Sequence, residues 1–483
     1  MRAGAAAGAL LAAALAGCSA ADSASDADPA APGGTCSGAP PGGISIRELS
    51  AYQAGKVSLM QNGAPVSYAD RGAPLVAGRA AVLRVSVDVA GPARDLAVRL
   101  SWQADDSSAV DHVSVERRVE RSSTDAELAS TLNFQIAGEH ITPFTRFALE
   151  LFGCDPESGG APSRFPASGA EPLLARELGG LTLTFVPVVA HGRTAASDRA
   201  RLDAYATLLE RMYPVAGVTY GVADPLVVEH ALGADGSGWP EALQELGLRH
   251  QTDQAANDVY YYGLVEPASS FDEYCSESCV SGIAYVAGAE SYNRHSRVAM
   301  GLSFGDRQGA ESVAHELGHA LGAQHAPCGG GDDEDAAFPH AGAGIGWWGL
   351  ELPGTLHDPA KATDIMGYCE PRWISDHHYR RFAERIAFVN ANLNELGGPP
   401  IARWRVLLIG RGGARWGRAP SIAVAAVGRR ESAVIFDRAG AAIARVDVYR
   451  AAMSWPGHAA VMVPEPLASW FAVALESERP IAF

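Results

Sequence analysis

The sequence has no surplus of positive charge: 38 Lys and Arg stand against 55 Asp and Glu, a formal net charge of −17. A nucleic-acid partner calls for a basic stripe, so that class is excluded. Beyond this, an acidic balance reports mainly on solubility. There is also no internal repeat of fixed period, the mark of a solenoid or propeller. Charged residues make up only 19% of the chain and hydrophobic ones 47%, so most of it can bury cores. With 483 residues, two to four domains are expected.

Cysteine is scarce as well, seven in all. The first lies in "MRAGAAAGALLAAALAGCSAADSASDADPAAPGGTC", where Arg2 precedes an Ala/Leu run too short to span a membrane. That run ends in Leu15-Ala16-Gly17-Cys18, which resembles a bacterial lipobox. The resemblance implies a signal peptide over 1–18, acylation of Cys18, and a disordered Ala/Ser/Asp/Pro tether over 19–42. The expectation is an exported cell-envelope lipoprotein of the outer membrane or cell surface, held to the membrane by lipid. Ordinary secretion is the alternative.

Setting Cys18 aside leaves Cys36, Cys154, Cys275, Cys279, Cys328 and Cys369. An even number in an exported chain suggests disulfides. Proximity pairs Cys275 with Cys279. Cys328 comes just after a histidine motif and Cys369 just after a methionine turn, and the two would staple that site, which leaves Cys36 with Cys154. Cys36 could instead cap a metal as a latency switch. A structural zinc site is the rival use for these thiols, with little support from the spacing.

Over 43–190, "AVLRVSVDVAG", "DLAVRLSWQA", "STLNFQIAG" and "LTLTFVPVV" alternate or run apolar between turn residues, which predicts an immunoglobulin-like β-sandwich. From 191 to 397 helical and strand-like segments alternate. "ASDRARLDAYATLLERMY", with Ser197 as its cap, "WPEALQELGLRH", "GAESVAHELGHALG" and "SDHHYRRFAERIAFVNANL" predict helices. "VTYGVADPLVV", "DVYYYGLV", "GIAYVAG" and "HSRVAMGLSFG" predict strands. Residues 400–483 form a small β-rich piece, read as another sandwich. The fold class expected is multidomain α+β, a mixed-sheet domain between β-sandwich-like domains.

The chemistry concentrates in "HELGHALGAQH". On a helix His315 and His319, four apart, face one ion. Glu316 projects beside them, where it could polarise a metal-bound water. His325 could not reach the same ion on a continuing helix. Gly322 resolves this, since glycine takes the positive φ that ends a helix sharply. Three neutral imidazoles leave a fourth position open, the form of a catalytic zinc site rather than a structural one.

His315-Glu316-x-x-His319-x-x-Gly322-x-x-His325 resembles the extended zinc motif of the metzincin metallopeptidases, and "TDIMGYC" supplies their methionine turn at Met366. The resemblance implies one catalytic zinc on His315, His319 and His325, with Met366 as an apolar floor. It implies Glu316 as the proton acceptor, and Tyr368 as a residue that swings toward the metal or the tetrahedral intermediate. It also places Arg372 and Trp373 at the wall of the main specificity pocket. "DIMGYC" with "RWISDHHY" is most similar to the M66-type secreted proteases, among them mucin-directed enzymes, over residues 193–395. A reprolysin-like or pappalysin-like member is the alternative.

The function expected is hydrolysis of peptide bonds in extracellular proteins, O-glycosylated ones included. The substrate would bind as an extended strand along "HSRVAMGL", taken as the sheet edge. The competing classes are a surface adhesin with a vestigial protease centre and a zinc hydrolase of non-peptide bonds. Calcium could suit "GGGDDEDAAF", but without a regular ligand spacing that segment reads as a solvated acidic turn. His340, His357, His377, His378, Trp347 and Trp348 read as packing or surface residues.

Overall fold

Alternating apolar strands build the N-terminal part into two sheets. The computed structural model describes Cys36 and residues 43–104, 111–154, 163–276, 279–288, 296–329, 334–392, 401–418, 421–475 and 479–483. Cys18, the signal segment and almost all of the tether lie outside the described residues. The first sheet runs Ala64–Pro65, Lys56–Gln61, Ile44–Tyr52, Ala81–Val89, Leu132–Ile136. The second runs Glu171–Pro172, Arg146–Gly153, Arg94–Gln103, Asp111–Val119, with Ser163–Phe165 also on Arg146–Gly153. All these pairings are antiparallel. Leu49, Leu83 and Val85 of one sheet share a core with Val98, Leu100 and Leu149 of the other, the inner faces of a sandwich. A Cys36–Cys154 disulfide ties the chain start to this layer.

Five α-helices occur among the described residues: α1 Arg199–Met212, α2 Trp239–Thr252, α3 Phe271–Tyr274, α4 Arg307–Ala320 and α5 Asp376–Ala391. The cap of α1 is Asp198, whose carboxylate accepts the Arg201 N–H at 3.1 Å, one residue beyond the predicted Ser197. The helices surround a third, mixed sheet. Leu181–Ala190 pairs in parallel with Val218–Val222, Leu226–Val227 and Val259–Val265, which pairs in parallel with Val298–Leu302. Gly282–Ala284 lies antiparallel on the far side of Val298–Leu302.

The central strands of this sheet, Leu181–Ala190, Val259–Val265 and Val298–Leu302, are apolar on both faces because both are covered. Leu183, Phe185, Tyr260, Tyr262, Leu264 and Ala299 pack with α1 and α4. Val186, Val188, Tyr261, Val265, Val298 and Met300 pack with α2 and the C-terminal sheet. Here the structure corrects a boundary: Leu181–Ala190, predicted as the last sandwich strand, is an interior strand of the third sheet. A continuous apolar run does not by itself reveal which sheet buries it.

The C-terminal part is also corrected. It is one antiparallel sheet rather than a sandwich, ordered Gly413–Trp416, Ile401–Gly410, Ala459–Pro464, Ala442–Ala452, Arg429–Phe436, Ala472–Leu475, Ile481–Ala482. It curls until its edges meet. Trp416 Nε1 donates to Ala482 O at 2.7 Å, and its ring stacks on Phe483. A bulge at Ile435/Phe436 supplies part of the bend. The enclosed face holds Leu407, Ile435, Val448, Val461 and Val473, so a second sheet is not needed to bury it. Among the described residues no helix is long and apolar enough to cross a membrane.

Candidate metal and catalytic centre

Helix α4 begins where the Asp306 side chain accepts the Gly309 N–H at 2.8 Å, and ends at Leu321. Gly322 comes next with φ +95°, and a Cβ there would stand 2.8 Å from Ala287 O. The turn brings His325 back to the helix as the spacing predicts. His319 Nε2 lies 3.2 Å from His315 Nε2 and 3.1 Å from His325 Nε2, and all three imidazoles are buried.

The outer nitrogens decide what this cluster can do. His315 Nδ1 donates to Ile365 O and His319 Nδ1 to Ala323 O, each at 2.8 Å. In these two the proton therefore sits on Nδ1, and their Nε2 atoms present lone pairs to each other and toward His325 Nε2. A cation among them removes the repulsion, and orientation by backbone carbonyls is how ligating histidines are commonly held. Burial, reinforced by the charge of His325, pushes His315 down to about 3. The same causes hold His319 well below its ordinary value. Both are neutral, as zinc ligation requires.

Glu316 is buried beside them, and burial pushes its carboxyl well above the usual range, opposed only by the nearness of Ser454. Its side chain lies flat on Gly282, where a Cβ would come within 2.5 Å of Oε1.

Met366 is fully buried, and its sulfur fills the hollow over Gly318, between the two helical histidines. The turn that carries it is fixed by a residue that sequence reasoning missed. Asp364 is fully buried, and its carboxylate accepts from Met366 N at 2.7 Å, Ser375 N at 2.8 Å and His378 Nδ1 at 2.8 Å. Burial alone would raise its pKa; the charge of His378 and these bonds outweigh that and hold it low. A short polar residue two places before the methionine was the signal that could have found it. The Cys328–Cys369 disulfide staples the histidine loop to this turn, and Cys275–Cys279 also forms. Cys36, bonded to Cys154, is not a free thiol.

Tyr368 is 47% exposed, and its hydroxyl lies 2.8 Å from His325 Nε2. A cavity of about 340 Å³ opens beside His315, Glu316 and Tyr368 and reaches Arg372. Trp373 does not join it. It is buried against the sandwich, donating to Ala54 O at 2.8 Å and stacking on His357 at 4.3 Å. His340 and Trp347 are structural: His340 bonds Asp376, and Trp347 donates to Ile374 O.

The acidic segment 329–338 lies partly outside the described residues, at 330–333. Asp335, read as solvated, is buried. It could join His377 and His378, whose ligand atoms lie within 4.8 Å of it. Its oxygens already accept from Ala337 N at 3.0 Å, His377 at 2.9 Å and Arg381 at 2.7 Å. A cation there would face a guanidinium, so the group is a hydrogen-bond network.

The predicted substrate edge also needs correction. Val298–Leu302 has neighbours on both sides, and the edge strand is Gly282–Ala284. Both runs are short and apolar, and only their hydrogen bonds tell them apart.

Residues 249–326 match the metallopeptidase family M12B, reprolysin-like. This covers the edge strand and the whole histidine motif, and it accords with a reprolysin-like member as the alternative to the M66 type. No characterised relative matches the chain. Among solved structures, a calcium-binding mutant of Bacteroides uniformis beta-glucuronidase 2 is similar at 11% identity and a TM-score of 0.17. That likeness covers 46% of this chain and 29% of that one, and nothing is drawn from it.

Proposed function

We propose that this chain is an exported zinc endopeptidase of the metzincin type, cutting extracellular proteins, O-glycosylated ones among them. The observation that carries the reading is the convergence of three buried Nε2 atoms, two of them with lone pairs set by Nδ1 donation to backbone carbonyls, beside the buried Glu316. The reprolysin-like match over 249–326 supports the metallopeptidase class. Three disulfides accord with an oxidising compartment, which supports export; the lipid-anchored cell-envelope location rests on the Leu15-Ala16-Gly17-Cys18 segment alone. The M66-type assignment rests on the "DIMGYC" and "RWISDHHY" segments, and the O-glycoprotein substrate depends on that assignment.

His315, His319 and His325 would hold one zinc, which when bound supplies Lewis acidity for water and the scissile carbonyl. Glu316, with its raised pKa, takes a proton from the attacking water and returns it to the leaving amine. Tyr368, whose hydroxyl lies 2.8 Å from His325 Nε2, stands where it can donate to the developing oxyanion. Met366 and the Asp364-braced turn keep the imidazoles in register.

The test compares residues 19–483, which keep the Cys36–Cys154 disulfide, with its Glu316→Ala form, both zinc-loaded, on plain and O-glycosylated proteins, reading new N-termini by mass spectrometry. Cleavage by the wild type alone supports the reading, and dependence on glycans supports the substrate class. A folded, zinc-loaded wild type that cuts nothing overturns it.

A further inference from the structure

The edge strand of the catalytic sheet already has a partner. On its inner side Ile283 pairs with Met300, flanked by Leu302 N–H to Ser281 O and Tyr285 N–H to Val298 O. Gly282, Ala284 and Val286 therefore turn their backbone groups outward, and the C-terminal sheet meets them. Trp455 Nε1 donates to Gly282 O at 2.8 Å. Ala284 N–H donates to Ser454 Oγ at 3.0 Å and its carbonyl accepts Ser454 N–H at 2.9 Å. Val286 N–H donates to Ala452 O at 2.9 Å.

Met453 stands antiparallel to Tyr285, so residues 452–455 run along the edge with numbers rising toward Glu316. Trp455 ends beside Gly282, on which the Glu316 side chain lies, and the chain then turns away through Pro456 and Gly457, closed by His458 N–H to Trp455 O at 3.0 Å. The segment is firmly seated. Tyr449, Ala451, Met453 and Met462 are buried in one apolar cluster with Leu243, Leu246 and Met300.

We infer that residues 452–455 are a built-in wall of the catalytic cleft, filling the place of a substrate strand on the amino side of the scissile bond. The inference rests on the endopeptidase reading. The present occupant sets its polarity. A substrate added antiparallel, as residues 452–455 are, would lay the residues before its scissile bond along Ala284 and Val286, whose groups are taken. Recognition then falls to the carboxyl side, where the cavity offers Phe271, Leu302 and Phe304 with Glu311, Tyr368 and Arg372. Affinity comes from substrate residues on the carboxyl side of the cut, and a bulky residue directly after it fits the cavity.

The test uses zinc-loaded residues 19–483, with the Cys36–Cys154 disulfide intact, and peptides copied from a cleavage site mapped in a protein substrate. One peptide extends four residues to each side; the others are cut back to one residue on the amino or the carboxyl side. Truncation on the amino side is expected to change kcat/KM by less than about threefold, and on the carboxyl side to lower it by about thirtyfold or more, the contacts with the cavity being lost. Equal losses, or the larger loss on the amino side, overturn the inference while leaving the endopeptidase reading intact. Failure to cut the parent protein overturns both. Amide exchange of 450–456 in Glu316→Ala, with and without the long peptide, separates a fixed wall from a displaced one. Unchanged protection is expected, and faster exchange on binding overturns the inference.

Discussion

Ser454, on the C-terminal sheet, pairs with Ala284 two residues from Gly282, on which the side chain of Glu316 of helix α4 lies, and its nearness opposes the rise that burial gives that carboxyl's pKa. The Ser454 hydroxyl accepts the Ala284 N–H at 3.0 Å. The C-terminal part, which carries no reactive motif, thus stands near the proposed base and holds the strand beside it.

Glu316→Gln keeps the shape of the site and removes the proton acceptor. The expected outcome is a fall in kcat of about 10²–10⁴, the usual contribution of general acid–base catalysis, with zinc content unchanged by elemental analysis. Loss of zinc with activity would assign Glu316 to metal retention instead.

Tyr368→Phe is expected to lower kcat about a hundredfold with little change in KM, the signature of a donor used mainly in the transition state. The hydroxyl lies beside His325 Nε2 and the side chain is half exposed at the mouth of the cavity. Steady-state kinetics that show only a KM change would remove it from the proposed catalytic set.

Asp364→Ala strips three buried donors of their acceptor. Urea unfolding should show a loss of about 3–5 kcal/mol, the range for breaking a buried ion pair. Zinc affinity should fall with it, because Ile365 O orients His315.

Gly322→Ala places a side chain at φ +95° against Ala287 O. A stability loss of about 1–2 kcal/mol is expected from the left-handed backbone. Zinc titration should show weaker binding, since His325 is delivered by this turn.

Glu351 carries the clearest pH dependence away from the metal site. His357 stands 3.6 Å from its carboxylate, and Arg307 and Arg211 bond it at 3.0 and 3.2 Å. His357 first, then the two arginines against the opposing effect of burial, bring its pKa from 4.5 to about 2. A carboxyl held low in the fold stabilises fully above its unfolded value, and that contribution is lost as pH falls through the folded one. Melting temperature should therefore decline between pH 4.5 and about 2, and Glu351→Gln should flatten the decline. An unchanged slope would show that other groups govern it.

Local chemistry made much of this protein legible from its sequence. Four-residue spacing puts His315 and His319 on one helix face, and Gly322 returns His325, because both effects act within one or two turns of backbone. The helices α1, α2, α4 and α5 and the Cys275–Cys279 pairing were readable for similar reasons, while Cys328–Cys369 followed from the two motifs it joins and Cys36–Cys154 was what remained. What the tertiary structure decided was contact between segments far apart in the chain. It assigned Leu181–Ala190 to the third sheet, made Gly282–Ala284 the edge instead of Val298–Leu302, and turned the C-terminal strands into one curled sheet. It also set Asp364 behind the metal turn and Ser454 near Glu316. Strand order and outward-facing hydrogen bonds depend on which apolar faces bury one another, and no local periodicity records that choice.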